Sequence, residues 1–283
     1  MPQSPDPLVS LGRLRAELRR LREQRRFTQQ QVADEMDWSL SKLIRIEGGR
    51  NRISTNDLRV LLNHYGVEPA LQEQLLALSK DVRRTAWWDR FADVINRDYA
   101  AYIGYETVAS VIRNFEITIV PGLLQTPEYA EQAMLNTSGR SPVNPKAIEL
   151  RMERQKLFER ETPPETHFII DESVIRRVVG GRAVMRAQLL HLRTMAQRPD
   201  LTLQIMPFSE GLYPRHRRGY VVFEFPDDAS LVLYIEGAEG SMIISEPTER
   251  KPQEYLESFW QLEEAAGAVD PIKLIDDALE RLT

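Results

Sequence analysis

The sequence predicts two domains of different class: a small all-α domain of five helices, then a larger α+β domain with a mixed or antiparallel sheet flanked by helices. Up to about residue 84, leucines and other apolar residues recur at the spacing of amphipathic helices. Further along, short runs rich in β-branched and aromatic residues alternate with helical segments. Such an alternation favours a sheet with helices packed on it.

Length and composition narrow the class further. The 283 residues suffice for two domains of ordinary size. Hydrophobic residues make up 42% and charged residues 28% of the chain, which is typical of globular proteins. No apolar run approaches the roughly 20 residues of a membrane helix, and the first ten residues lack the features of a signal peptide. We therefore expect a cytoplasmic protein without a membrane partner.

Charge divides the chain at the same place. Residues 1–84 carry 15 Lys and Arg against 11 Asp and Glu, a balance of +4, and the rest carries 22 against 31, a balance of −9. The net charge of −5 thus conceals a basic domain attached to an acidic one. Because phosphate contacts need local rather than global positive charge, the first domain is suited to nucleic acid.

Residues 28–50, TQQQVADEMDWSLSKLIRIEGGR, predict two short helices joined by a tight turn. Thr28 is a good N-cap for the first helix, and Gln31 can reach back to it as in a capping box. Asp37 breaks the helical pattern, and Asp is one of the few residues besides glycine that tolerate a left-handed backbone. Ser39 then caps the second helix.

The second of these helices places Leu43 and Ile46 inward and leaves Ser41, Lys42 and Arg45 outside. In a helix-turn-helix, the second helix lies in the major groove of double-stranded DNA. Arg45 is the best candidate for guanine, since its guanidinium can donate to O6 and N7 together. Lys42 suits either a base or a phosphate.

The segment resembles the phage-repressor-like regulators of the xenobiotic-response-element (XRE) family. Their pattern has a Gln at the start of the second helix, a Ser-capped recognition helix and a closing Ile-Glu-x-Gly-Arg. The matching positions are Gln29, Ser39 and residues 46–50. Asp37 departs from the usual turn glycine, and Leu40 and Ile44 are more apolar than the family average. These departures bear on base preference.

On this reading Gln29 and Arg50 hold backbone phosphates. Leu40, Ser41 and Arg45 face base edges, and Ser39 and Lys42 complete the predicted DNA-binding set. We expect a homodimer, because one small module reads few base pairs and half-sites one helical turn apart supply the missing affinity. The resemblance also implies that Arg22 and Glu47 form a partly buried ion pair that ties the first helix to the third.

We place the DNA-binding domain at residues 1–84, a junction at 85–98 and the second domain at 99–283. In the first domain, periodicity places a loose arm at residues 1–9 and further helices at about 10–26, 54–64 and 69–84. In the junction, Trp87 and Trp88 predict either a docking seam or two ordinary core aromatics. In the second domain we expect helices at about 102–115, 126 onward, 145–159, 184–197, 254–264 and 271–282, and strands at 166–171, 201–207, 219–225, 231–236 and 241–244.

The second domain also carries a resemblance. The stretches PGLLQTPEYA at residues 121–130, RMERQ at 151–155 and IDES at 170–173 resemble the C-terminal domain of unknown function in many actinobacterial XRE regulators. The resemblance implies a transcriptional regulator that is often encoded beside a small companion protein. It does not fix what the domain senses.

No catalytic or cofactor motif stands out in the sequence, and the four histidines show no pair at metal-ligand spacing. We therefore expect no enzyme, no cofactor and no metal. Charged residues of the second domain could still meet in a pocket for a ligand or partner: Arg151, Arg154, Gln155, Asp171, Glu172 and Glu236. Acid–base chemistry by the carboxylates is one alternative, and helix capping with internal ion pairs is another.

The leading hypothesis is a dimeric, sequence-specific transcriptional regulator whose second domain binds a small-molecule effector or a companion protein. One alternative is a second domain that acts mainly as an interaction module for such a companion. A metabolite-acting enzyme is the other, and it requires Asp171, Glu172 and Glu236 in one pocket.

Overall fold

The computed structural model describes residues 7–47, 53–81, 86–138, 142–215, 217–225, 228–236, 242–245 and 251–282. The chain divides between Asp89 and Arg90 into two compact units. This division lies inside the stretch 85–98 that the sequence assigns to a junction. Within the ranges described, no helix is long and apolar enough to cross a membrane.

Helices alone form the described part of the first unit. They are α1 (Pro7–Gln24), α2 (Gln29–Glu35), α3 (Leu40–Glu47), α4 (Thr55–His64) and α5 (Pro69–Asp81). Their apolar stripes share one core, in which Leu18 of α1, Val32 of α2, Leu43 of α3 and Leu61 of α4 are fully buried. Leu75 adds α5 to the same core.

Three of these helices end in the same way. Arg26 (φ 60°), Asp37 (φ 56°) and Gly66 (φ 61°) take the left-handed position that follows α1, α2 and α4. After α2, the N–H groups of Asp37 and Trp38 donate to helix carbonyl oxygens at 3.2 and 2.8 Å. These bonds satisfy acceptors that a helix end leaves free. The turn before α3 therefore has the left-handed Asp37 that the sequence predicts.

The first helix begins earlier than the sequence predicts. The expected start at Ser10, behind a loose arm, is wrong, since α1 begins at Pro7. Proline's fixed φ suits the first helical turn, where its missing N–H is not needed. Ser10 is consequently buried inside the helix. The helix also ends at Gln24, two residues before the predicted end.

A six-stranded sheet is the centre of the second unit. Its strands are β1 (Val111–Glu116), β2 (Glu165–Asp171), β3 (Leu201–Met206), β4 (Tyr220–Phe225), β5 (Asp228–Ile235) and β6 (Met242–Ser245). They lie in the order β3-β2-β1-β4-β5-β6. The pairs among β1, β2 and β3 are parallel, and those from β1 through β4 and β5 to β6 are antiparallel. The sheet is therefore mixed.

Helices pack on both faces of this sheet. They are α6 (Arg97–Val108), α7 (Pro127–Ser138), α8 (Pro145–Gln155), α9 (Glu172–Arg176), α10 (Arg182–Met195), α11 (Lys251–Ala266) and α12 (Pro271–Glu280). On one face, Phe259 of α11 shares a buried core with Phe115 and Leu233. On the other, the ring of Tyr102 in α6 lies 5.4 Å from that of Phe223. The predicted fold class, an all-α domain followed by an α+β domain, is confirmed.

One predicted helix is wrong in its second half. The sequence predicts a helix over residues 102–115, but α6 ends at Val108 and β1 begins at Val111. In the strand, Ile112, Asn114 and Phe115 are all buried, because β1 lies between β2 and β4 and is covered on both faces. The spacing of its apolar residues fits a helix as well, so long-range pairing decides the outcome.

The two adjacent tryptophans occupy a short 3₁₀ helix, Trp87–Phe91. Trp88 is buried, whereas Trp87 keeps 36% of its surface exposed. Their rings meet edge to face at 5.5 Å. The two rings therefore contact each other, with one buried and the other partly open to solvent.

Candidate nucleic-acid interface and pocket

Glu47, the last residue of α3, accepts hydrogen bonds from α1 and α2. Arg22 of α1 donates its Nε and Nη2 to the two carboxylate oxygens at 2.7 and 3.0 Å. Gln29 of α2 donates its Nε2 to Oε2 at 2.7 Å. Arg15 of α1 donates to the Glu47 carbonyl oxygen at 3.1 Å. The three helices are therefore joined at one carboxylate.

This ion pair is almost completely shielded from water. The side chains of Arg22 and Glu47 are 10% and 5% exposed. The hydrogen bond to Glu47 raises the pKa of Arg22 against the opposing effect of burial. Arg22 also donates its Nη1 to the carbonyl oxygen of Phe27 at 2.9 Å. A bidentate arginine–carboxylate pair adds a defined geometry to the electrostatic attraction. The last residue of α3 therefore fixes the orientation of this helix relative to α1.

One strip of α3 faces solvent. Leu43 and Ile46 are buried, whereas Ser41, Ile44 and Arg45 are exposed. Residues three and four apart are neighbours on a helix surface. The strip therefore presents a hydroxyl, a branched apolar group and a guanidinium side by side, which are groups that read base edges in a major groove.

The other predicted residues at the start of α3 have contacts within the unit or are half-buried. Ser39 caps the helix, since its Oγ accepts from the Lys42 N–H at 3.2 Å. The Lys42 ammonium lies 3.1 Å from the Asp57 carboxylate and 4.0 Å from the centre of the Trp38 ring. Leu40 is half-buried. Lys42 is thus engaged inside the unit, whereas Arg45 has no ion-pair partner in the part of the chain that the structure describes.

Ile44 is a candidate that sequence reasoning missed as a contact. It was noted only as an unusually apolar residue, and it is 46% exposed between Ser41 and Arg45. An apolar side chain in this position can contact the methyl group of thymine. The sequence signal that could have identified Ile44 as a contact is its position on the polar, solvent-facing side of the helix. Arg50, the predicted phosphate contact, lies outside the described residues.

The second unit contains a pocket of about 390 Å³ on the sheet face that α6 covers. Tyr99 and Tyr102 of α6 line it together with side chains of β1, α8, the segment before β4 and the end of β5. Its charged lining residues are Glu116, Arg151, Arg154, Arg217, Arg218 and Glu236. This volume is within the range of sites for small molecules.

Two arginines of α8 line the pocket but have partners in the protein. Arg154 donates its Nε and Nη2 to the carboxylate of Glu106 at 2.8 and 2.6 Å, and both side chains are 3% exposed. Arg151 donates its Nη1 to Gln125 at 2.9 Å. A Cβ at Gly122 would lie 2.7 Å from that nitrogen, so glycine lets the backbone approach the guanidinium.

Three residues of the predicted pocket set, Gln155, Asp171 and Glu172, are not among those that line this pocket. Gln155 donates its Nε2 to the carbonyl oxygens of Gly122 and Gln125 at 3.2 and 2.7 Å. Asp171 caps α9 by accepting from the Ser173 N–H at 2.8 Å. The carboxylate at a strand–helix junction is used by the helix N-terminus, because the first N–H groups there lack partners.

Glu172 is also occupied elsewhere. Its carboxylate accepts from Arg176 at 3.0 Å and from the Phe208 N–H at 2.9 Å. Asp171 and Glu172 do not line the pocket that Glu236 lines, although the enzyme hypothesis places the three acids together. In the ranges that the structure describes, no group of three His, Asp or Glu side chains could hold a metal ion.

Sequence reasoning missed two polar residues of the pocket, Asn114 and Glu116. Both belong to β1, where the sequence predicts the end of a helix and a following extended segment. Burial and the nearby charge of Glu236 raise the pKa of Glu116 to about 8, although Arg151 opposes the shift. Only the strand register, which links residues more than 100 positions apart, brings these groups to one place.

Comparison with known families matches both units. Residues 13–75 match a helix-turn-helix domain, and residues 99–272 match the "Domain of unknown function (DUF5753)". The protein is therefore of the helix-turn-helix class. A helix-turn-helix domain points to a DNA-binding regulator rather than an enzyme. The chain belongs to the DUF5753 family, whose model covers more than half of it. The searches of curated proteins and of solved structures gave no match.

The buried ion pair makes a prediction about stability. Arg22→Gln leaves the Glu47 carboxylate buried without its cation, so we expect a loss of about 3–5 kcal/mol in the unfolding free energy of the first unit. The loss is measured in the full chain from the urea dependence of hydrogen exchange at the amides of α1–α3.

A matched control lies on the same helix. Arg19 and Glu23 form an exposed pair, with side chains 49% and 54% exposed, and Arg19→Gln should change the free energy by less than about 1 kcal/mol. The double variant Arg22→Met with Glu47→Leu should recover much of the loss, because no buried charge remains. Equal effects of Arg22→Gln and Arg19→Gln would contradict the structural role.

Proposed function

We propose that the protein is a sequence-specific transcriptional regulator that binds its operator as a homodimer and whose second domain binds a small-molecule effector. The observation that carries the DNA-binding part is the solvent-facing strip of α3, Ser41, Ile44 and Arg45, held in place from behind by the Arg22–Glu47 pair. A rigidly mounted helix with exposed polar and apolar groups is suited to a major groove.

Each predicted contact has a role in this proposal. Arg45 donates to a guanine, Ser41 hydrogen-bonds a base edge, and Ile44 contacts a thymine methyl. Gln29 uses one amide N–H for Glu47 and offers the other to a phosphate. Arg50 takes a second phosphate. Ser39, Leu40 and Lys42 shape and support the start of the helix.

Replacing Arg45 tests the base contact. Arg45→Ala should lose about 1–3 kcal/mol on the cognate operator and relax discrimination at one base position, since a two-pronged bond to guanine is removed. Genome-wide mapping of binding sites with a tagged protein supplies the operator, and titration against single-base variants supplies the discrimination. Unchanged discrimination would exclude the assigned role.

Two further variants separate this effect from a general loss of charge. Arg50→Ala should weaken all DNA sequences alike and reduce the slope of affinity against salt concentration, as removal of a phosphate contact does. Lys80→Ala removes an exposed cation at the end of α5 and should change neither quantity. A sequence-dependent effect of Arg50→Ala would assign that residue to bases instead.

The dimer makes an independent prediction. One helix-turn-helix unit reads few base pairs, so two copies on half-sites about one helical turn, roughly 34–36 Å, apart supply specificity and affinity. Sedimentation of the full chain with operator DNA should show two chains per duplex. A single chain on the full operator would remove the dimer from the proposal.

The effector role is supported by the pocket of the second unit, which is of a size for small molecules and is lined by charged and aromatic groups. The alternative is a second domain that mainly binds a small companion protein. A small protein that co-purifies with the chain and changes operator affinity, with no response to small molecules, would favour the alternative.

A further inference from the structure

The register of the sheet places two carboxylates on either side of a glycine. Asn114 of β1 pairs with Val221 of β4, which pairs with Tyr234 of β5. Two residues further along the same face, this register sets Gly219 between Glu116 and Glu236. Neighbouring strands lie about 4.8 Å apart. The backbones of Glu116 and Glu236 are therefore each about one strand spacing from Gly219, on opposite sides of it.

The missing side chain of Gly219 leaves room that Glu116 occupies. A Cβ at this position would lie 2.7 Å from Oε2 of Glu116. The carboxylate of Glu116 therefore lies over the glycine, on the side toward Glu236. The charge of Glu236 acts on Glu116 strongly enough to be among the causes of its raised pKa. Two acidic groups thus converge over one residue.

The acceptors at this place have few partners in the described part of the chain, where Glu116 accepts a hydrogen bond from the backbone N–H of Ile117. Neither Glu116 nor Glu236 has an ion pair with a described residue. Asn114, which lines the same pocket, is 4% exposed, and its Oδ1 accepts no hydrogen bond. Buried polar atoms are nearly always bonded, so an unbonded carbonyl oxygen beside two carboxylates indicates a site for a hydrogen-bond donor.

The arginines that line the pocket do not neutralise this group. Arg154 is paired with Glu106. Arg151 donates its Nη1 to Gln125, whereas its buried Nε has no hydrogen-bond partner among the described residues. Arg217, Arg218 and Glu236 are all exposed, where solvent screens charge. At Glu116, the charge of Glu236 raises the pKa more than the charge of Arg151 lowers it.

We propose that this pocket binds a small ammonium compound, with the cation over Gly219 and its N–H groups donating to Glu116, Glu236 and Asn114. The proposal rests on the effector-binding function proposed for the second domain and names the chemical class of the effector. The tyrosines of α6 that line the pocket would cover the organic part of the ligand.

Matched probes and variants test the proposal. Phenethylammonium, 2-phenylethanol and 3-phenylpropionate present a cation, a neutral group and an anion on the same ring, and their binding to the full chain is measured by titration followed by NMR. We expect the cation to bind most tightly. At pH 9, where Glu116 is mostly ionised, Glu116→Gln and Glu236→Gln should each weaken it at least about tenfold, because each removes a carboxylate that accepts its hydrogen bonds.

The control is Glu257→Gln, which removes an exposed carboxylate on α11, the helix on the opposite face of the sheet. It should leave the affinity unchanged, and thermal melting should show that all three variants are folded. Preference for the anion, equal effects of the three substitutions, or no binding of the cation at millimolar concentration would each overturn the proposal.

Operator affinity measured on the same samples distinguishes the ammonium site from the effector function proposed for the second domain. Selective binding of the anion to the pocket would overturn the ammonium site and leave the effector function in place. Selective binding of the cation with no change in operator affinity would support the site and contradict the effector function.

Binding of a cation should also depend on pH. Since the pKa of Glu116 is raised to about 8, the free protein holds this group mostly as the neutral acid at pH 7. A bound cation favours the carboxylate, so the affinity for phenethylguanidinium, which keeps N–H donors and whose charge does not titrate in this range, should rise from pH 7 to 9 and level off above. The other charged groups lining the pocket are Glu236, Arg151, Arg154, Arg217 and Arg218.

Glu116→Gln is the decisive variant for this pH dependence. It removes the titrating group and should abolish the rise in affinity. A slope that persists in Glu116→Gln would assign the titration to another of these groups and contradict the role of Glu116.

Discussion

The carboxylate of Glu47 is the interaction on which the first unit depends. It accepts hydrogen bonds from Arg22 in α1 and from Gln29 in α2, and it is the last residue of α3. A charge with so little exposure is stable only with its partners in place. Any change in the angle of α3 would break these bonds, so the orientation of α3 is coupled to the integrity of the fold. The sequence-specific DNA binding that we propose for α3 requires such rigidity.

Gly219 has a comparable position in the second unit. The absence of a side chain permits the Glu116 carboxylate to lie against the backbone, and the register of β1, β4 and β5 brings Glu236 to the other side. The helix α6 covers this face with Tyr102. Two acids without ion-pair partners would be unfavourable side by side in a core. Here they lie at the ends of the strands, where the pocket opens.

The first unit was largely predictable from the sequence because its determinants are local. Thr28 forms its capping box within four residues, and Asp37 makes its turn through bonds to the preceding helix. The pocket depends instead on residues such as Asn114 and Val221, which meet only through strand pairing. Periodicity does not carry that information. The strand β1 was consequently predicted as a helix, and the acids chosen from the sequence, Asp171 and Glu172, are used for capping and internal bonds.

Three enclosed carboxylates show what separates a structural group from a binding group. Glu47 and Glu106 each face an arginine that donates two hydrogen bonds, so both hold helices together. Glu116 lacks such a partner, and its pKa is raised instead. Burial alone therefore does not define a site; burial without a counter-charge does. By this criterion Arg154, paired with Glu106, supports the pocket, and Glu116 of β1, beside the exposed Glu236 that follows β5, is the carboxylate left for a ligand.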